Sequence, residues 1–191
     1  MYIKRKIESF LQRHLDRGKS IFLLGPRQTG KTTLLSQISA DLTISFLSKS
    51  LRLRYEKDPD QLTGEIKALP KKKGKTPLVI LDEIQKVPEM MDIIQELIDQ
   101  KVAQFILTGS SARKLKKNNA INLLPGRVVN LRLDPFVFEE NPDESLKDRL
   151  LYGSLPVIVQ EKKQATVIPI FNLMSKLIWK KRFVRKLLSE I

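Results

Sequence analysis

Gly25-Pro26-Arg27-Gln28-Thr29-Gly30-Lys31-Thr32-Thr33 is the stretch on which the reading of this chain turns. A short apolar run, Ile21-Phe22-Leu23-Leu24, precedes it, and an apolar-periodic segment, Leu34-Leu35-Ser36-Gln37-Ile38, follows. Strand, glycine loop, helix is the context that the G-x-x-x-x-G-K-[ST] phosphate-loop pattern requires. Gly25 and Gly30 are expected to take backbone conformations closed to residues with a Cβ, so that successive N–H groups converge on one anion. A helix starting at Lys31 adds a positive dipole end behind the same point. Lys31 would bring a mobile ammonium to the β- and γ-phosphates, and the Thr32 hydroxyl would ligate Mg²⁺. The whole stretch from Gly25 to Thr33 is therefore read as a nucleotide cradle.

Outward from the loop, strands and helices alternate. Apolar residues at Ile3, Ile7, Phe10, Leu11 and Leu15 predict a helix that Gly18 ends, and Ser20 to Leu24 form the first strand. The helix after the loop is predicted to run to about Ala40, and Thr43 to Leu47 to be a second strand. Leu51 to Leu69 reads as one or two short helices broken at Pro59 and Gly64, followed by a basic loop, Pro70 to Pro77. Leu78-Val79-Ile80-Leu81 has the continuous apolar character of a strand buried in a parallel sheet. A helix over Pro88–Gln100, a strand over Val102–Thr108, a short basic helix over Ser111–Lys117 and a fifth strand over Val128–Leu133 complete the pattern. Strands and helices at this spacing imply right-handed crossovers: an α/β fold, here a three-layer αβα sandwich around a five-stranded parallel sheet. From Pro142 the pattern changes to a helix (Glu144 to Tyr152), an apolar patch (Leu155 to Val159) and a basic helix to the end. The expected division is a core over 1–141 and a short helical extension over 142–191.

The third strand ends in Asp82-Glu83. Ligands collect at the carboxyl ends of parallel strands, so both carboxylates are expected to emerge at the phosphate site. Asp82 would hold Mg²⁺, directly or through water, and Glu83 would polarise a water as general base. A GTPase would carry a guanine-reading Asn-Lys-x-Asp after a later strand, and this chain has none. A small-molecule kinase needs no water-activating glutamate. ATP hydrolysis fits these residues best, with ATP and Mg²⁺ as the cofactors.

The chain has 191 residues, 41% hydrophobic and 29% charged, enough for one α/β domain with a modest appendage. With no cysteine, neither disulfides nor a Cys-based zinc site are open to it, and the single histidine, His14, is read as a helix-face residue. No apolar run reaches the length of about 20 residues that spans a bilayer, so membrane insertion is not expected and the cytoplasm is. The net charge of +14 suits an anionic partner such as nucleic acid. A lysine-rich composition around a polyphosphate site is the other reading. Lysines without interleaved aromatics would make any nucleic-acid binding weak, since one tryptophan and three tyrosines offer little to stack on.

Four segments together carry a resemblance: Gly25 to Thr33, Leu-Asp-Glu-Ile-Gln (81–85), Leu-Thr-Gly-Ser-Ser-Ala-Arg-Lys-Leu (107–115) and Leu-Leu-Pro-Gly-Arg (123–127). In order and spacing they resemble a prokaryotic family of AAA-type, additional-strand catalytic-glutamate P-loop ATPases, usually found with a C-terminal domain of unknown function. The resemblance covers about residues 1 to 160. It implies that Ser110, after the fourth strand, is a polar sensor orienting the attacking water, with Thr108 as the alternative. It also implies that Arg127 is an arginine finger, acting in trans on a neighbouring subunit of a homo-oligomer. Relatives continue through a helical lid and a further domain, where this sequence stops at Ile191; a short member and a truncated product are both open.

Overall fold

The computed structural model describes residues 2–70, 75–110, 124 and 126–162. In chain order the elements are α1 (Ile7–Asp16), β1 (Ser20–Leu24), α2 (Lys31–Leu35), β2 (Leu42–Ser45), α3 (Lys49–Lys57), α4 (Gln61–Ala68), β3 (Leu78–Asp82), α5 (Met90–Asp99), β4 (Gln104–Gly109), β5 (Val128–Arg132), α6 (Leu146–Tyr152) and α7 (Pro156–Lys162). Single 3₁₀ turns follow β3 at Ile84–Lys86 and precede α6 at Phe138–Glu140. Two compact units divide between Asp134 and Pro135, whereas the boundary expected from the sequence falls further along, at 141/142.

In the first unit, strand side chains alternate between two faces, and both faces are covered. Ile21 and Leu23 of β1, Ile80 of β3 and Ile106 of β4 bury one face against Leu11 and Leu15 of α1 and Leu34 and Leu35 of α2. Phe22, Val79, Leu81, Phe105 and Leu107 bury the other against Tyr55 of α3, Leu62 and Ile66 of α4, and Met90, Met91, Ile94 and Leu97 of α5. Phe22, Leu23, Leu81 and Leu107 are wholly buried, so the three-layer sandwich expected from the sequence is the fold observed.

All five strands are parallel, in the order β2-β3-β4-β1-β5. Strand β4 lies between β1 and β3, with Leu24 opposite Gly109 and Leu81 opposite Leu107. This register brings the ends of β1, β3 and β4 level. The glycine loop, Asp82-Glu83 and Thr108-Gly109-Ser110 therefore leave the sheet at one edge, where open α/β sheets bind ligands.

Several boundaries differ from the sequence reading. Helix α2 stops at Leu35, not Ala40, because the Ser36 hydroxyl donates to the Thr33 carbonyl (2.8 Å) and Gln37 and Ile38 tighten into i→i−3 bonds. Strand β2 ends at Ser45; the Phe46 N–H makes one last in-register bond to the Asp82 carbonyl (3.0 Å), and the chain then turns into α3, which Ser48 caps by accepting from the Leu51 amide. Pro59 does separate two helices, but Gly64 lies inside α4 and breaks nothing. In the second unit the apolar patch at 155–159 forms the first turns of α7, with Pro156 at its opening position. The helices expected at 111–117 and over the last residues lie outside the described residues, as does 71–74 of the basic loop. Among the described residues no helix is long and apolar enough to cross a membrane.

Candidate nucleotide site

Each turn of the loop between β1 and α2 has a local cause. Gly30 has φ 88°, the left-handed conformation that its position at the helix start requires and that glycine adopts freely. Gln28 is also left-handed, at φ 67°, a conformation uncommon for a residue with a side chain. Gly25 corrects the expectation made for it, because its backbone is not left-handed. A Cβ there would stand 2.2 Å from the Leu133 carbonyl oxygen, so glycine is needed for clearance against the chain leaving β5. Thr29 is wholly buried and its hydroxyl donates to the Pro26 carbonyl (2.9 Å), closing the loop on itself. Its own carbonyl accepts from Arg5 Nη1 (2.8 Å).

Lys31 is buried, and its ammonium donates to the carbonyls of Gly25 and Pro26, both at 2.8 Å. Burial pushes this ammonium below the usual lysine range, and Glu83 and then Asp82 pull it partly back. The two carboxylates are thus within electrostatic reach of the lysine, as the strand register requires. Thr32 and Thr33 are exposed at the start of α2, as are Pro26, Arg27 and Gln28 along the loop. Because α2 has only five residues, its dipole contributes less than the longer predicted helix would.

Asp82 is buried at the end of β3 and accepts from two hydroxyls, Thr108 Oγ1 on Oδ1 (2.5 Å) and Ser45 Oγ on Oδ2 (3.3 Å). Thr108 Oγ1 also accepts from the Glu83 amide (3.0 Å), so one hydroxyl fixes both acidic residues. Glu83 sits at φ 59°, ψ 43°, which turns the chain sharply off the strand. Its Oε2 accepts from the Gln85 side-chain amide, which also donates to Ser110 Oγ (3.3 Å). Ser110 is therefore linked to Glu83 through Gln85, whereas Thr108 touches Asp82 directly.

Arg127 is not brought to this cluster. It precedes β5, and Val128 is paired with Ser20 at the start of β1, whereas the loop follows Leu24 at its other end. Its Nε donates to Asp99 Oδ1 (2.7 Å) at the end of α5, which raises the arginine and lowers the aspartate from their usual ranges. The acid would otherwise sit unfavourably at a helix C-terminus.

Three residues near the site escaped the sequence reading. Gln85 stands in the Leu-Asp-Glu-Ile-Gln stretch, two residues past the candidate base, and that spacing was a usable signal. Ser45 ends β2 beside Asp82, and the rule about carboxyl ends of strands covers it too. Arg5 gave no signal, since what its guanidinium holds at Thr29 and Asp134 are backbone carbonyls.

A parallel sheet in this order, with a phosphate loop after β1, β4 inserted between β1 and β3, and acidic residues after β3, is an AAA-type P-loop nucleotide-binding fold. The chain belongs to the AAA domain family, whose description its residues 17–141 match. Uncharacterized protein Rv2008c of Mycobacterium tuberculosis is 31% identical over 156 residues, covering 80% of this chain and 33% of that protein. Uncharacterized protein MJ1637 of Methanocaldococcus jannaschii is 27% identical over 221 aligned residues, covering 93% of this chain and 46% of that protein. The chain thus spans less than half the length of these relatives. Among solved structures, the replication initiator DnaA bound to AMPPCP and single-stranded DNA superposes with a TM-score of 0.56 at 15% identity, covering 100% of this chain and 70% of that one. AMPPCP-bound DnaA from Aquifex aeolicus gives 0.53 at 16% identity, covering 98% and 67%. At these identities the likeness is one of fold.

Proposed function

We propose that this chain binds ATP with Mg²⁺ in the cytoplasm and hydrolyses it, the cycle driving a conformational change. The observation that carries the reading is the convergence of Lys31, Asp82 and Glu83 at one sheet edge, with Thr108 bonded to both acidic residues. The donor set suits a hard cation, because a carboxylate and a hydroxyl offer oxygen alone. Asp82 and Thr32 would hold Mg²⁺, which when bound neutralises charge on the phosphates. The loop from Gly25 to Thr33 would seat the phosphates, with Lys31 turning its ammonium from the Gly25 and Pro26 carbonyls toward them. Glu83, held through Gln85, would take the proton of the attacking water, with Ser110 or Thr108 as the polar group aligning it. Calorimetric titration of the full chain with ATP tests this: saturable binding that weakens when Mg²⁺ is chelated is expected. Absence of binding would overturn it, while binding without phosphate release would favour a nucleotide-binding module with little turnover.

For Arg127 we propose a role on a neighbouring subunit, since its own loop lies at the other end of β1. Supplying an arginine finger is worth roughly a thousandfold or more in other phosphate-loop enzymes. Activity per molecule should therefore rise with protein concentration, and Arg127→Ala should remove that rise while sparing ATP affinity. Asp99→Asn separates this from a structural role, because it breaks the ion pair yet leaves the guanidinium. Concentration-independent activity indifferent to Arg127 would sink the proposal.

A second reading, nucleic-acid binding under ATP control, has its own observation. A cavity of about 1040 Å³ at the amino ends of β2, β3 and β4, away from the phosphate loop, is lined by Lys67, Lys75 and Lys101 along with Asp41. Three phosphate contacts on duplex DNA would give a salt slope near −2.7, so a fourfold rise in salt should weaken binding by roughly 40-fold. Fluorescence anisotropy across a salt series checks this. Tight, sequence-selective binding that survives high salt would contradict it.

A further inference from the structure

We propose that Arg5, in the segment before α1, is a positioning residue for the phosphate loop and couples it to the chain at Asp134. Resting on the nucleotide-site reading, the proposal adds a residue outside the matched AAA region. Arg5 is only 5% exposed. Its Nη1 donates to the Thr29 carbonyl (2.8 Å) and its Nη2 to the Asp134 carbonyl (2.7 Å). One planar fork thus spans two backbone segments and fixes the spacing between their oxygens.

Thr29 is flanked by the left-handed Gln28 and Gly30, so its peptide plane sits at the bend of the loop. In a trans peptide the carbonyl and the following N–H point opposite ways. Holding the Thr29 oxygen on Arg5 therefore aims the Gly30 amide away from the arginine, and amides of this part of the loop are what such a loop offers an anion. The loop is braced at its start against the same exit segment. Gly25 lies so close to the Leu133 carbonyl that no Cβ fits, and the Leu133 amide donates to Leu24 O (2.7 Å). Loop and exit segment touch at Gly25 and are bridged at Thr29, and Asp134 is the residue at which the first compact unit ends. Any change that phosphates impose on the Thr29 peptide is felt at Asp134, and by linkage the reverse holds.

The test uses the full chain and a non-hydrolysable ATP analogue with Mg²⁺. In the unmodified protein the analogue should slow hydrogen exchange both in the loop, 25–33, and at Leu133 and Asp134, by about tenfold or more. Arg5→Lys keeps the charge but not the fork. It should bind the analogue about tenfold more weakly and, at saturation, protect the loop without protecting 133–134. A purely structural arginine would lower the melting temperature and leave that pattern of protection intact. Wild-type affinity with unchanged protection at 133–134 in Arg5→Lys would overturn the proposal. If Arg5→Lys does not fold, the unmodified chain still decides, since loop protection without protection at 133–134 overturns the coupling. An unmodified chain that binds no analogue overturns the nucleotide reading itself and this one with it.

Discussion

Glu83→Gln is expected to bind ATP–Mg²⁺ as tightly as the unmodified chain and to hydrolyse it about a hundredfold to ten-thousandfold more slowly. The amide matches the carboxylate in shape, and its oxygen can still accept from the Gln85 side chain that holds Glu83. It cannot take a proton from water. The left-handed turn at φ 59° is set by the backbone and by the Thr108 hydroxyl on the Glu83 amide, so it should persist. Retained ³²P-labelled ATP on the variant, beside phosphate release from the unmodified chain, reads the effect. Equal hydrolysis rates would remove Glu83 from the role of base.

Lys31→Ala should weaken ATP binding by about a hundredfold or more, since truncating one member of a buried charge pair costs about 3 kcal/mol or more. Lys31 is the one buried lysine among the described residues, and its bonds to Gly25 and Pro26 show the ammonium already folded over the loop. Burial of that charge is a cost in the fold, and it pushes the ammonium below the usual lysine range. Its removal should therefore leave the far-ultraviolet circular dichroism unchanged. Titration with a fluorescent ATP analogue measures the loss. Wild-type affinity would place the phosphates somewhere other than this loop.

The fold was legible because the signals that define it are local. A continuous apolar run at Leu78–Leu81 and the glycine loop between Leu24 and Leu34 need no partner to be recognised. β1 came out with the bounds read from the sequence, and β3, β4 and β5 came out within two residues of theirs. Boundaries failed where a single side chain decided the outcome, as the Ser36 hydroxyl does at the end of α2. At the site, residue types were legible but their partners were not. The need for glycine at 25 comes from a carbonyl of Leu133, far along the chain, and no local rule foresees it. The bond from Thr108 to Asp82 depends on β4 lying next to β3, which only the strand order reveals. Arg5 bonds backbone oxygens, which every sequence supplies, so its place beneath the loop was invisible.

The central claim is that Lys31, Asp82 and Glu83 form one ATP-hydrolysing site, and phosphate release per molecule tests it most directly. The full chain, Lys31→Ala and Glu83→Gln would be assayed together at saturating ATP and Mg²⁺ over a range of protein concentrations. The account predicts release from the unmodified chain that chelation of Mg²⁺ abolishes, and release at least about a hundredfold slower from Glu83→Gln, with Lys31→Ala also failing to retain ATP. Equal release from all three proteins, indifferent to chelation, would contradict it.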